Sequence, residues 1–394
     1  MKRAATHDEI KPLVELCKAG RLFDVQDWIK EGKPVNPPQY VSGGRRKSPL
    51  EIAMDQGFHS LVQVLLEGGA DINDSNYWPL HEAIHMRRLD LVELLVAHGA
   101  DIHSVDMATV FESWQPEIMK WFIERGADVE TEKPLAYALC HRIRTALGIL
   151  KSYKERFPSF QEQANIALRR HCWDGNLKWV SLMLWAGADP YAKGPSDWDH
   201  EADPEEDMNA MEIAALRGNL DIFNLKAVRP DPNKPESKEL LLYTCHSSNC
   251  ALLEKLLEKG FDPTESEDRG TALIQSLLVR LEYSSVFNHW DFFWRNERRP
   301  TRNLDDEKAR ERIKMIHLLA KNGAKWLPGD RAQIGYARRS LIKMKPDYTA
   351  EFTWIMSKYQ ATRREDLLEL IRTPAIRTVI IEKRDTIEKL INAI

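Results

Sequence analysis

Residues His81-Glu82-Ala83-Ile84-His85 spell HExxH, the string in this 394-residue chain that most resembles a catalytic metal site. On a helix, histidines four apart share a face and can chelate Zn²⁺, with the intervening glutamate as general base. A hydrolytic zinc site also needs a third ligand on a later element and an open water position. Met86 to His98 instead carry the apolar spacing of a packed second helix. A zinc-dependent hydrolase at 81–85 therefore stands as the enzymatic alternative, and no catalytic, cofactor-binding or metal residue is assigned. No P-loop, GxSxG elbow or paired-glycine dinucleotide loop occurs.

Four other clusters have the composition of recognition surfaces. Gly43-Gly44-Arg45-Arg46-Lys47 is a basic, glycine-rich finger, in which Arg45 and Arg46 could meet an acidic partner segment. Tyr77 and Trp78 are adjacent aromatics just before a helix start; such side chains bury a large area at low rotamer cost and anchor interfaces. Residues 193–208, KGPSDWDHEADPEEDM, form an acidic stretch around Trp198 and lack the aspartate–glycine frame of a calcium loop. Residues 283–306 carry Trp290, Phe293 and Trp294 followed by Arg298, with the aromatic–arginine pattern running from 287 to 302. Aromatics interleaved with arginine suit a protein hot spot, packing against the chain's own surface, or stacking on single-stranded bases. Nucleic-acid or anion binding through 287–302 is the third reading; the formal net charge of −4 weighs against it.

The elements that position these clusters repeat. Ser48–Asn73, SPLEIAMDQGFHSLVQVLLEGGADIN, recurs thirty residues later as Trp78–His103, WPLHEAIHMRRLDLVELLVAHGADIH. Leu50 and Ala53 fall on one face of a short first helix. Leu61, Val62, Leu65 and Leu66 give the stripe of a second. Gly69 follows that second helix where a left-handed residue is wanted. A period near thirty means a stacked solenoid, since one unit cannot bury its apolar face alone.

Leu80-His81 within WPLHEA, with Gly-Ala-Asp closing the unit, resembles the ankyrin repeat. Trp78 stands where the signature has Thr and forgoes its capping hydroxyl. Gly69, Gly99, Gly126, Gly187, Gly260 and Gly323 close the clear units, and Gly32 closes an N-terminal cap over 8–36. Degenerate units are read at 133–158 and 209–228, and the unit Thr271–Gly323 carries the 283–306 insertion between its helices. The resemblance implies about eight repeats plus the cap over residues 8–327, and an all-α, ankyrin-like helical solenoid with short hairpin loops. Residues 1–327 are thus expected to form the solenoid. Residues 328–394, outside the pattern, are expected to form helices that cap it, because a solenoid needs a terminal unit with a polar outer face.

Composition agrees with an ordinary soluble chain: 43% apolar and 29% charged, with no run of 18 uncharged apolar residues. Five cysteines without a CxxC pair suggest reduced thiols in a cytoplasmic protein, and the N-terminus lacks the apolar core of a signal peptide. The expected function is a non-enzymatic scaffold, adaptor or neutraliser that binds a protein partner through hairpin tips, first-helix faces and loop insertions. No cofactor and no membrane contact are expected, and a monomer is the simpler oligomeric expectation.

Overall fold

The computed structural model describes residues 3–39, 46–72, 77–198, 208–265, 267–283, 306–343, 346–374, 376 and 383–393. Every regular element among them is helical; the extended pairings are isolated bridges, Arg3 with Asn36, Gly194 with Met208 and Trp326 with Thr362. The chain divides into two compact units, residues 1–167 and 168–394.

The first unit is a stack of antiparallel helix pairs: α1 (His7–Lys18) with α2 (Leu22–Lys30), α3 (Pro49–Asp55) with α4 (His59–Glu67), α5 (Pro79–His85) with α6 (Leu89–Ala97), α7 (Met107–Glu112) with α8 (Pro116–Glu124), and α9 (Pro134–Cys140) with α10 (Ala146–Tyr153). It also holds the first half of α11 (Ser159–Trp173). The stripe expected from the sequence is the core: Leu50, Ala53, Leu61, Val62, Leu65 and Leu66 are all buried, as are Leu80, Ala83, Leu91, Val92 and Leu95 one unit on. Each buried leucine contributes roughly 1.5–3 kcal/mol relative to exposure.

Two left-handed residues set the period. The closing glycines adopt positive φ, 85° at Gly69 and 99° at Gly99, a region open to glycine at no steric cost. A second such residue joins the two helices of each pair. It is glycine at Gly57 (φ 61°), but Arg87 (59°), Trp114 (60°) and Arg142 (65°) in the next three pairs of this unit. The residue after the turn can clasp the preceding repeat: Arg88 Nη1 donates to the Gly57 carbonyl at 3.0 Å.

First-helix N-termini are satisfied in different ways. Ser48 Oγ accepts from the Glu51 amide at 3.1 Å, and Asp106 Oδ1 accepts from the Thr109 amide at 2.7 Å. Trp78 and Lys133 offer no side-chain cap. For α9 the loss is made good from α11, two helices on. Gln163 of α11, almost wholly buried, accepts from the Leu135 and Ala136 amides at 2.8 and 3.2 Å and donates to the Val129 carbonyl at 3.0 Å.

The second unit continues with the rest of α11, α12 (Leu177–Ala186), α13 (Ala210–Leu216) with α14 (Leu220–Phe223), α15 (Leu240–Ser247) with α16 (Cys250–Glu258), and α17 (Glu267–Tyr283) with α18 (Asp306–Lys321). Asn209 opens α13 with a reciprocal capping box to Glu212 and also donates to the Glu236 carbonyl at 2.9 Å. Asn219 and Asn249 reach back to the Cys172 and Gly218 carbonyls at 2.7 and 2.8 Å, repeating the clasp that Arg88 makes.

Beyond α18 come α19 (Arg331–Lys343), α20 (Pro346–Lys358), α21 (Arg364–Arg372) and α22 (Arg384–Asn392). α19 packs on α17, and α20 packs on α18 and α22. Trp326 is their pivot. It is fully buried, its indole donates to Gln275 Oε1 at 3.0 Å, and its ring meets Phe352 edge-on at 6.1 Å. Its backbone amide donates to the Ala361 carbonyl, and its carbonyl accepts from Thr362 Oγ1.

Candidate partner-binding face

In the first unit, α5, α7 and α9 pack side by side and leave one face of each helix outward. Trp78 begins this face. It precedes the proline that opens α5, makes no cap, and is 70% exposed. An indole so exposed adds nothing to the core, and its ring lies edge-on to His81, 6.1 Å between centroids. His81 and His85, one helical turn apart, hold their rings 4.5 Å apart in a tilted pair.

On α7 the face is acidic, with Asp106 at the N-cap and Glu112 exposed at the end. Tyr137 of α9 donates its hydroxyl to Glu112, and its ring lies 4.2 Å from that of His141. The Glu112 hydrogen bond, with the nearby negative charge of Asp106 and partial burial, pushes the Tyr137 phenol up to about 12. Tyr137 is therefore a neutral donor committed to Glu112. The face thus runs from an indole through imidazoles to a carboxylate–phenol pair, an aromatic anchor with a polar surround.

His81 and His85 lie on one helix face, as HExxH spacing requires. Among the described residues, however, no group of three His, Cys, Asp or Glu side chains is placed to hold a metal ion. Nothing supports the zinc-hydrolase or nucleic-acid readings.

The sequence candidates scatter. Tyr77 and Trp78 belong to this face, Tyr77 half-buried and Trp78 exposed. Arg46 is exposed beside Lys47, whose ammonium pairs with Asp55 at 2.5 Å. Trp198 sits half-buried in the second unit at the base of the acidic stretch, where Asp197 pairs with Arg170. Arg45, Trp290, Phe293, Trp294 and Arg298 lie outside the described residues. Glu112, Tyr137 and His141 were not legible as a site, since they lie on successive first helices. The one available signal was register: counting from each helix start sets Tyr137 on the repeat position of Glu82.

Similarity to known proteins agrees with the repeat. The family described as ankyrin repeats (3 copies) matches residues 13–106. The chain is 24% identical over 265 residues to the ankyrin repeat and KH domain-containing protein mask-1 of Caenorhabditis elegans, covering 64% of this chain and 10% of that protein. It is 43% identical over 83 residues to the human 2-5A-dependent ribonuclease, covering 18% of this chain and 11% of that protein. It thus spans about a tenth of the length of these relatives. Among solved structures, the human ASB11 ankyrin repeat domain aligns with a TM-score of 0.36 at 19% identity, covering 59% of this chain and 97% of that one. With repeat motif, stacked helix pairs and family match in agreement, residues 13–106 of the chain are ankyrin repeats.

Proposed function

We propose that this chain is a non-enzymatic scaffold that binds a partner protein through the first-helix face of α5, α7 and α9 and the hairpin tip at Tyr77–Trp78. Ankyrin repeats are protein-interaction modules, which sets the class of function. The observation that carries the finer reading is Trp78, a 70% exposed indole at a helix start where a small capping residue would serve the fold better. Aromatics of this kind, ringed by polar groups, dominate binding energy at protein interfaces. The stretches at 193–208 and 283–306 serve as further contacts, and residues 328–394 form the cap of a solenoid spanning 1–327. The adaptor or neutraliser role follows from a surface built for docking.

The partner meets this face in a reducing compartment such as the cytoplasm. None of the five cysteines is in a disulfide, and burial pushes the thiols of Cys17 and Cys245 up to about 12 and that of Cys250 to about 11, which keeps those three inert. No helix among the described residues is long and apolar enough to cross a membrane.

The test is quantitative capture. Proteins retained from the native host by the immobilised chain are identified, purified and titrated against wild type, Trp78→Thr and His85→Ala. Loss of an anchoring indole weakens binding by about 30-fold or more. Unchanged affinity of every partner for a folded Trp78→Thr variant would place the binding surface elsewhere.

A further inference from the structure

The second unit contains a cavity of about 680 Å³ walled by α15, α17 and α19, within the range of small-ligand sites, roughly 300–1,000 Å³. One wall is a stripe along α17: Asp268, Thr271, Gln275, Ser276, Val279 and Arg280, spaced to share a helix face. At 1.5 Å per residue, Asp268 and Arg280 mark points about 18 Å apart along the helix axis.

Most of the wall's polar groups are already engaged. Thr271 Oγ1 accepts from the Leu327 amide at 2.9 Å, Ser276 donates to the Leu273 carbonyl at 2.8 Å, and Gln333 Oε1 accepts from the Gly329 amide at 2.9 Å. What remains around Arg280 is donors, with the exposed Asp268 carboxylate at the far end of the wall. The Arg280 guanidinium is half-buried, and among the described residues no carboxylate pairs with it. A cation partly withdrawn from water without a counter-charge is costly. Gln275, fixed by the indole of Trp326, leaves its Nε2 buried without a hydrogen-bond partner among the described residues. His246, on α15, is held down to about 4 by burial and by Arg280, so at neutral pH its ring adds a donor and no charge.

We propose that this cavity is a binding site for a small elongated monocarboxylate whose carboxylate pairs with Arg280 and whose other end, neutral or cationic, points toward Asp268. One unpaired cation matches one carboxylate. A phosphate dianion would bring Arg280 a second negative charge that the wall does not answer, and a dicarboxylate would set its second charge against Asp268. The mixed wall, with Ala272, Val279 and Leu327 between the polar groups, suits a partly aliphatic body. This site is independent of the partner-binding face.

Calorimetric titration and thermal shift of the full chain with ω-aminooctanoate, octanoate, octylamine and inorganic phosphate test the assignment. Both carboxylates bind saturably and raise the unfolding temperature, the ω-amino form more tightly; octylamine and phosphate do neither. Arg280→Gln weakens the carboxylates by at least about tenfold, since a hydrogen-bonded charge is lost. Arg280→Lys, which keeps the charge without the planar fork, weakens them less, and Asp268→Asn removes the preference for the ω-amino form. Unfolding of each variant without ligand confirms that it is folded. Absence of saturable carboxylate binding, equal affinity in folded Arg280→Gln, or phosphate binding as tightly as carboxylate would overturn the proposal.

Discussion

Arg169 Nε donates to the carbonyl of Pro195 at 2.7 Å across 26 residues of chain, from a side chain with no exposed surface. Its Nη1 donates to the Ala192 carbonyl at 2.9 Å, so one buried guanidinium holds the start of the acidic 193–208 stretch against α11. Arg169→Met keeps the apolar stem and leaves both carbonyls unanswered. The expected cost is about 2–4 kcal/mol, since each orphaned acceptor costs ~1–3 kcal/mol. Denaturant unfolding measures the loss, and faster amide exchange at residues 191–198 locates it. A change below ~0.5 kcal/mol would show that the clamp is dispensable.

The bond from Tyr137 to Glu112 gives the first unit an alkaline dependence. The phenol is raised from 10.0 to about 12 in the folded state, so the unfolded chain loses its proton first as pH rises. The stabilisation is therefore complete below about pH 10 and is lost as pH climbs toward about 12. Thermal unfolding of Tyr137→Phe should be flatter than wild type across that window and alike in shape below it. Parallel curves throughout would dismiss the linkage.

At the inter-helix turn, Arg142 occupies φ 65°, a conformation that costs an L residue roughly 1–2 kcal/mol. Arg142→Gly removes the strain and adds unfolded-state entropy, for a net gain of up to about 1 kcal/mol. Gly57→Ala should do the reverse. Its Cβ would stand 3.1 Å from Arg88 Nη1 and 3.2 Å from Met86 Cε in the same left-handed turn. Denaturant midpoints compared at constant m-value decide both signs.

Trp78→Thr separates fold from function. A threonine there supplies the side-chain cap that α5 lacks, worth about 0.5–1 kcal/mol, while the lost indole was exposed. The variant should melt higher than wild type and bind its partner less tightly. A lower melting temperature would mean the indole packs against the fold after all.

Much of the architecture was legible because it is local. The closing glycines at 69, 99, 126, 187, 260 and 323 all adopt positive φ, and the apolar stripes at 50–66 and 80–95 are the core. The degenerate units at 133–158 and 209–228 likewise form helix pairs, although no closing glycine marks them. The site was less legible because its chemistry is periodic. Gln163 caps a helix 28 residues earlier, and Tyr137 meets Glu112 25 residues away, so no short motif contains either relationship. HExxH is the converse case: its spacing is local and real, but two histidines on one seven-residue helix do not bring a third ligand.

The non-glycine turns have a consequence for engineering. Arg87, Trp114 and Arg142 each sit exposed at the same point of successive repeats, held by backbone geometry. Because the left-handed bend is imposed by the stacked helices on either side, the side chain there can be exchanged without repacking the interior. These junctions form a row of evenly pitched attachment points, at which a combinatorial library or a pair of spectroscopic labels could be placed at set intervals along the first unit.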